Sequence, residues 1–405
     1  MKWSNHIKAR ALKREPMISF ARRPFFRFQT KLAVLGIVAF ASFNTAIAEG
    51  TTVLATRYPE LQQLLLAHDV LQARVYEEIV LTNESRSAAI GQRMLLDKLD
   101  ELEEAQTSHY HSAGNHLSLL GPHRVFESRV TPGLLGEVYR EHNGEAVRSM
   151  LSDIGILPSV ALQTLGRGRE FVEQLIEIHL NPEFEDKKSA VAQAVKNYLN
   201  DDTHSMATRP KSDELLSDHP YAYAYPVGFP QLSGLSWASQ WLKIGLLEIV
   251  ITATTEEQLD GDIERLIALY NEKLIRQHSG FVSLPSDIPT SPVIAPSFYE
   301  LYPEAAYILD NLESLKVVIG DVLAYPGIED RPQKIESVVA SYTDKEANLS
   351  SDDIEYLLFV LRGGIFNAGG PARGGLTWPD RNWSREQSET PHVSISNGPL
   401  EYNYE

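Results

Sequence analysis

The chain contains no cysteine in its 405 residues. That excludes disulfides, zinc held by thiolates, iron–sulfur clusters on Cys ligands and covalently attached c-type haem. Common catalytic signatures are missing as well. No Walker loop and no Gly-x-Gly-x-x-Gly behind a strand offers a backbone cradle for phosphates. No His-Glu-x-x-His is present, which removes the zincin proteases. The single Glu-x-x-His, Glu389-Thr390-Pro391-His392, carries a proline that breaks the helix a di-iron pair requires. The nearest approach to a nucleophile elbow is Gly234-Leu235-Ser236-Trp237-Ala238. It lacks the second glycine and has only a poor strand ahead of it, so Ser236 reads as a helix cap. There is no fixed-period repeat and no low-complexity tract.

What is present begins with an address. Lys2 to Lys31 is basic, Leu32 to Phe43 is a 12-residue apolar run, and Ala46-Ile47-Ala48 supplies small side chains where a signal peptidase cuts. A membrane span takes about 20 apolar residues. The pattern therefore predicts a cleaved signal peptide over 1–48, with Glu49 the first mature residue; Met17 is an alternative start. Within it, Ala21-Arg22-Arg23-Pro24-Phe25-Phe26-Arg27 resembles the twin-arginine export motif, Ser/Thr-Arg-Arg-x-Phe-Leu-Lys. Both arginines and the first Phe match, Phe26 and Arg27 are mild replacements, and Ala21 departs from the usual Ser/Thr. The resemblance covers the address alone. It implies a domain that folds before export, and such cargo often carries a cofactor or travels with a partner that does.

The composition is that of a globular protein, 43% hydrophobic and 22% charged. The formal charge is −17. Residues 1–48 hold nine Lys/Arg and one Glu, so the remainder falls to −25. An acidic surface disfavours nucleic acid and anionic lipid, and leaves the membrane relevant only during export.

Nearly every periodic segment has helical spacing, which predicts a mainly α fold. Pro59 opens a helix whose stripe is Leu61, Leu64, Leu65, His68, Leu71, Val75 and Ile79. After a connector at Thr82–Ser85, a second helix over 86–106 turns Ile90, Met94, Leu95, Leu99 and Leu102 inward, forming a hairpin with the first. Pro132-Gly133 reads as a break, followed by helices over 134–141, 145–152, 159–179 and 184–199. Residues 207–230 read as an irregular aromatic linker and 285–303 as an irregular Pro-rich one. Helices follow over 307–322, 333–342 and 352–361, then a Gly/Pro-rich tail. This divides the chain into 1–48, an N-terminal helical domain 49–205, a central region 206–330 and a C-terminal part 331–405.

The organising stretch is 236–275. Trp237, Trp241, Ile244, Glu248 and Ile251 recur every three to four residues, Leu242, Leu246 and Ile249 fill a second side, and no proline interrupts from Gln231 to Leu284. A helix buried all round and capped by Ser233 or Ser236 fits best. A β-branched strand over 242–252, giving an α+β fold, is the alternative. Thr254 or Thr255, with Glu257 or Gln258 reaching back, then forms a capping box for an amphipathic helix along Leu259, Ile263, Leu266, Ile267, Tyr270 and Leu274.

Two clusters stand out as candidate sites. His109, His111, His116 and His123 could converge on Zn, Cu or Fe through neutral imidazole, though their spacing matches no metal motif and solvated or capping histidines account for it equally. Tyr221, Tyr223 and Tyr225 would line one side of an extended chain beside Trp237 and Trp241, either walling an organic ligand or packing on the buried helix. His68 reads as a core histidine bonded to a neighbour, and His179 as a cation favoured by a helix C-terminus.

The reading is an exported, soluble, acidic periplasmic protein that binds a partner or small ligand without catalysing a reaction. A metal-dependent enzyme using the histidine cluster is the second reading. An accessory subunit riding with a cofactor-bearing enzyme is the third. The address is testable: Arg22→Lys with Arg23→Lys blocks export if the twin-arginine route is used, and unimpaired appearance of the mature chain outside the cytoplasm removes that claim.

Overall fold

Apolar residues at helical spacing become buried helix faces throughout the computed structural model, which describes residues 52–107, 121–142, 155–278, 288–351 and Tyr356. The twin-arginine segment, His109, His111 and His116, the helix at 145–152 and all but Tyr356 of the stretch beyond 351 lie outside these residues. The described residues form fourteen helices and no sheet. They are α1 (Val53–Arg57), α2 (Pro59–Glu84), α3 (Ala89–Thr107), α4 (Arg124–Val138), α5 (Ser159–Leu180), α6 (Lys187–Tyr198) and α7 (Glu214–Ser217). There follow α8 (Ala224–Gly228), α9 (Pro230–Thr252), α10 (Glu256–His278), α11 (Ser291–Ile294), α12 (Pro296–Leu301), α13 (Pro303–Ala324) and α14 (Arg331–Thr343).

Helix α9 is the buried central helix, and the strand alternative over 242–252 is set aside. Every residue from Gly234 to Val250 is buried. The helix packs against α2, α4, α5, α8, α10, α11 and α12. An all-round apolar helix needs partners on every side, and here they are. One hydrophobic core runs from Leu54 on α1 to Tyr342 on α14. The capping box at Thr255 forms: Gln258 N–H donates to Thr255 Oγ1 at 3.2 Å, and Gln258 Oε1 accepts from Thr254 N–H at 3.3 Å.

Four corners are made by proline. Tyr58, Phe229, Ala295 and Tyr302 each close one helix and open the next, with Pro59, Pro230, Pro296 and Pro303 following in the first helical position. Proline lacks an N–H that would be orphaned there and brings a helical φ, so the chain turns with no connector. This corrects the irregular reading of 285–303, where α11, α12 and the start of α13 succeed one another, and of 207–230, which contains α7 and α8. It also corrects the start of α9, which begins at Pro230, with Ser233 and Ser236 inside it. Pro132-Gly133 lies within α4 rather than breaking it.

A second correction concerns α3. Leu95 is buried and Leu99 and Leu102 pack on the core, but Ile90 is 75% exposed and Met94 46%. The helix lies on α8 rather than returning along α2. Its inward face is rotated toward Gly91, which approaches the His123 ring so closely that a Cβ would meet Nδ1 at 2.6 Å.

The helices opened by these corners lack a local side-chain cap. Two of them, α9 and α12, take acceptors from distant buried acids, and so do α8, α11 and α1. Glu127 Oε1 on α4 accepts from Gln231 N–H at 2.8 Å and Leu232 N–H at 3.1 Å, capping α9. Glu248 Oε2 on α9 accepts from Ser297 and Phe298 N–H at 2.9 and 3.2 Å, capping α12. Asp321 takes Tyr225 N–H at 2.8 Å, Asp310 takes Ser291 N–H at 2.9 Å, and Glu177 takes Val53 N–H at 3.0 Å.

Burial outweighs the two backbone hydrogen bonds on Glu127 and pushes its carboxyl up to about 8. A carboxyl whose folded pKa is raised adds stability that is full below its ordinary value of 4.5 and lost as pH rises through about 8. Chemical denaturation across that window therefore shows stability falling with pH, and Glu127→Gln, which keeps an oxygen for both N–H groups, flattens the fall. Glu127→Ala leaves those donors buried and unpaired, with an expected loss of about 2 kcal/mol at pH 5. An unchanged pH slope in Glu127→Gln would contradict the assignment.

Candidate functional site

Only two charged residues interrupt α9, Lys243 and Glu248. Glu248 is spent on capping α12. Lys243 points into a cavity of about 60 Å³ where α2, α5, α9 and α13 meet. The lining mixes apolar side chains, among them Leu157, Leu162, Leu165, Val172, Leu309 and Leu312, with the polar His68, Asp69, Arg169, Gln240, Lys243 and Lys316. The volume suits a few waters or a small polar head group. Gly168 is required here, because a Cβ at that position would meet the Leu312 side chain at 2.6 Å.

The charges form a linked cluster. Asp69 bridges two cations: Lys243 Nζ lies 3.3 Å from Oδ1 and Arg169 Nε 3.6 Å from Oδ2. Arg169 also reaches Glu173 at 3.3 Å, and Lys316 pairs with Glu313 at 3.0 Å while donating to Gln240 Oε1 at 3.4 Å. Removing charge from water is costly unless each group is paired, and the pairing is incomplete on the donor side. Arg169 Nε is too far from Asp69 for a hydrogen bond and has no other partner. His68 is buried as expected of a core histidine, and its Nδ1 has no partner.

Burial sets the protonation. His68 is driven well below its ordinary value by desolvation, reinforced by Lys243 and Lys316, and is neutral. Lys243 is lowered to about 8, first by desolvation and then by Lys316, against the opposing pull of Asp69. Desolvation raises the Glu173 carboxyl, against the opposing pull of Arg169 and Lys243.

The aromatic candidates lie elsewhere. The 221–225 segment is not extended: it turns, with Tyr223 in the left-handed region at φ 64°. Tyr225 is fully buried, donating to Leu232 O at 3.1 Å and paired with Ser236 Oγ at 2.9 Å. Its ring fits against Gly320, where a Cβ would meet it at 2.5 Å. Tyr221 stacks on His219 with Lys334 over its ring, and Trp237 and Trp241 lie beneath Lys273 at 5.5 and 4.5 Å. Tyr223 borders a separate groove of about 440 Å³ with Leu99, Asp100, Glu103 and His219. Neither of the two described cavities is lined by all five aromatic residues.

Of the four candidate metal ligands the structure places His123. Its ring stacks on Phe229 at 4.6 Å and 11°, both nitrogens are buried without partners, and burial lowers it to about 4. Among the described residues no group of three or more His, Asp or Glu is arranged to hold a metal ion. His179 is likewise lowered by burial and holds Leu175 O through Nδ1 at 2.8 Å, so it is a neutral hydrogen-bonding group rather than a helix-terminal cation.

Asp69, Arg169, Lys243 and Lys316 were not legible as a site. The available signal was Lys243 itself, a charge in a helix otherwise apolar for three turns. No family model, curated protein or solved structure matches the chain. The cluster's linkage is open to test. Asp69→Ala leaves Lys243 and Arg169 without their shared counter-charge, with an expected loss of about 3 kcal/mol in denaturant unfolding. In Lys243→Met with Asp69→Ala the two losses do not add, and strict additivity would show that the two groups are not coupled.

Proposed function

We propose that this chain is an exported, non-catalytic binding protein that holds a small organic anion in the cavity among α2, α5, α9 and α13. One observation carries the reading: the Lys243 and Arg169 side chains both line the same partly apolar space. Lys243 has a single acceptor for three N–H groups, at 3.3 Å, and Arg169 Nε reaches Asp69 only at 3.6 Å. A carboxylate supplies acceptors and negative charge together, and apolar walls suit its carbon body. The contrast with a chain of net charge −17 also supports it. An acidic exterior with a cationic interior favours small anions that penetrate and disfavours large polyanions that do not.

Export, periplasmic residence and removal of residues 1–48 belong to the same proposal and rest on the basic, apolar and Ala-Ile-Ala pattern of the N-terminus. The metal-enzyme reading depends on His109, His111 and His116, and the accessory-subunit reading on the export motif, so neither gains from the described geometry.

Titration calorimetry of the mature chain with propionate, propanol and propylamine distinguishes the charge requirement. Propionate binds at one site per chain, the alcohol and amine do not, and Arg169→Gln weakens propionate by about tenfold or more, the value of one lost charged hydrogen bond. Equal binding of the alcohol, or no propionate binding, would overturn the proposal.

A further inference from the structure

Among the cavity's three cations Lys243 is the least committed. Lys316 donates to both Glu313 and Gln240, and Arg169 donates to Glu173. Lys243 has one long contact, to Asp69 Oδ1 at 3.3 Å, and its side chain lines the space. It stands on α9, the helix gripped by seven others, so the amine is held in place rather than free to swing into solvent.

The geometry around it is specific. Lys243 and Arg169 lie on the two oxygens of one carboxylate, Asp69, which fixes their head groups side by side. A 2-oxo acid carries its carboxylate and its electrophilic carbon on neighbouring atoms. The carboxylate would meet the Arg169 guanidinium, which lines the same space, while the carbonyl carbon faces the Lys243 amine. Neutral His68, which lines the same space, completes the set as a group able to relay a proton to or from the carbonyl oxygen.

We infer that Lys243 condenses reversibly with a small 2-oxo acid seated in this cavity, forming a protonated imine. The inference rests on the anion-binding reading and adds a covalent step to it. The step balances. The nitrogen of Lys243 forms a bond to the carbonyl carbon, the carbon–oxygen double bond breaks, and the oxygen leaves as water with two protons of the original ammonium. The resulting iminium keeps one proton and one positive charge. Charge at the site is conserved, so the ion pair with Asp69 survives and burial does not oppose the product. No oxidant or reductant takes part. A neighbouring cation and an apolar wall are the features that make a lysine amine available for this chemistry, and the low setting of Lys243, about 8, agrees with them.

The test is reductive trapping on the full mature chain. Pyruvate is added with borohydride, and intact mass and peptide mapping locate the reduced adduct. One pyruvyl group is expected, on Lys243, formed about tenfold or more faster than on any exposed lysine and suppressed by excess propionate. Lys243→Arg is expected to lose the adduct while exposed lysines keep their slow background labelling. Should that variant fail to fold, the mapped position and its competition by propionate in the wild-type chain decide the matter alone. Pyruvate binding with no adduct, or with adducts spread evenly over exposed lysines, overturns the imine and leaves the anion reading standing. Absence of both pyruvate and propionate binding overturns the two together.

Discussion

The N-terminus of a helix exposes N–H groups that nothing within the helix can satisfy. In this protein Phe229, Tyr223, Ala295 and Thr290 sit at the cap positions of α9, α8, α12 and α11 without offering a side-chain acceptor. The acceptors come instead from Glu127, Asp321, Glu248 and Asp310, and for α1 from Glu177 in addition to its local Thr52. Each acid lies on a different helix from the one it caps. A helix start is therefore complete only when another helix has docked, which ties local order to tertiary order. Glu248 shows the linkage in sequence: α4 caps α9, and α9 in turn caps α12.

Burying an acid is costly, and the structure shows where that cost falls. Glu127 is raised to about 8 and Asp310 to about 7, both chiefly by desolvation. Asp310 is further held by Ser291 Oγ at 2.8 Å and by the Tyr356 hydroxyl. These acids share a helix dipole as partner, which offers partial charge without a counter-ion. The cavity cluster solves the same problem with full cations, and it does so with donors left over. At Glu127 and Asp321 the leftover atom is an acid oxygen, whereas at Arg169 it is a buried N–H.

Much of the fold could be read along the chain because burial imposes a period. The stripe from Leu61 to Ile79 is buried as its spacing requires, as are Ile263, Leu266, Tyr270 and Leu274 on α10. The failures have a common cause. Proline was treated as punctuation between irregular segments, while Pro230, Pro296 and Pro303 begin helices; the same residue does either, depending on whether the preceding chain ends a helix. Ile90 and Met94 fit an apolar stripe by spacing alone, and only the docking of α3 on α8 rotates them outward. Tyr221, Tyr223 and Tyr225 alternate like a strand, but Asp321 draws the Tyr225 N–H into α8 and the segment curls.

By itself the sequence determined that the chain is helical and that the segment bearing Trp237 and Trp241 is interior, because an apolar helix cannot be stable with any face in water. It also determined the acid excess and the exclusion of thiol chemistry. Which acids face inward, and what they meet there, was decided only by tertiary structure. Asp69, Arg169, Lys243 and Lys316 come from four helices up to 247 residues apart in number. No local spacing records that they converge, since the packing of α2, α5, α9 and α13 alone brings their head groups to one cavity.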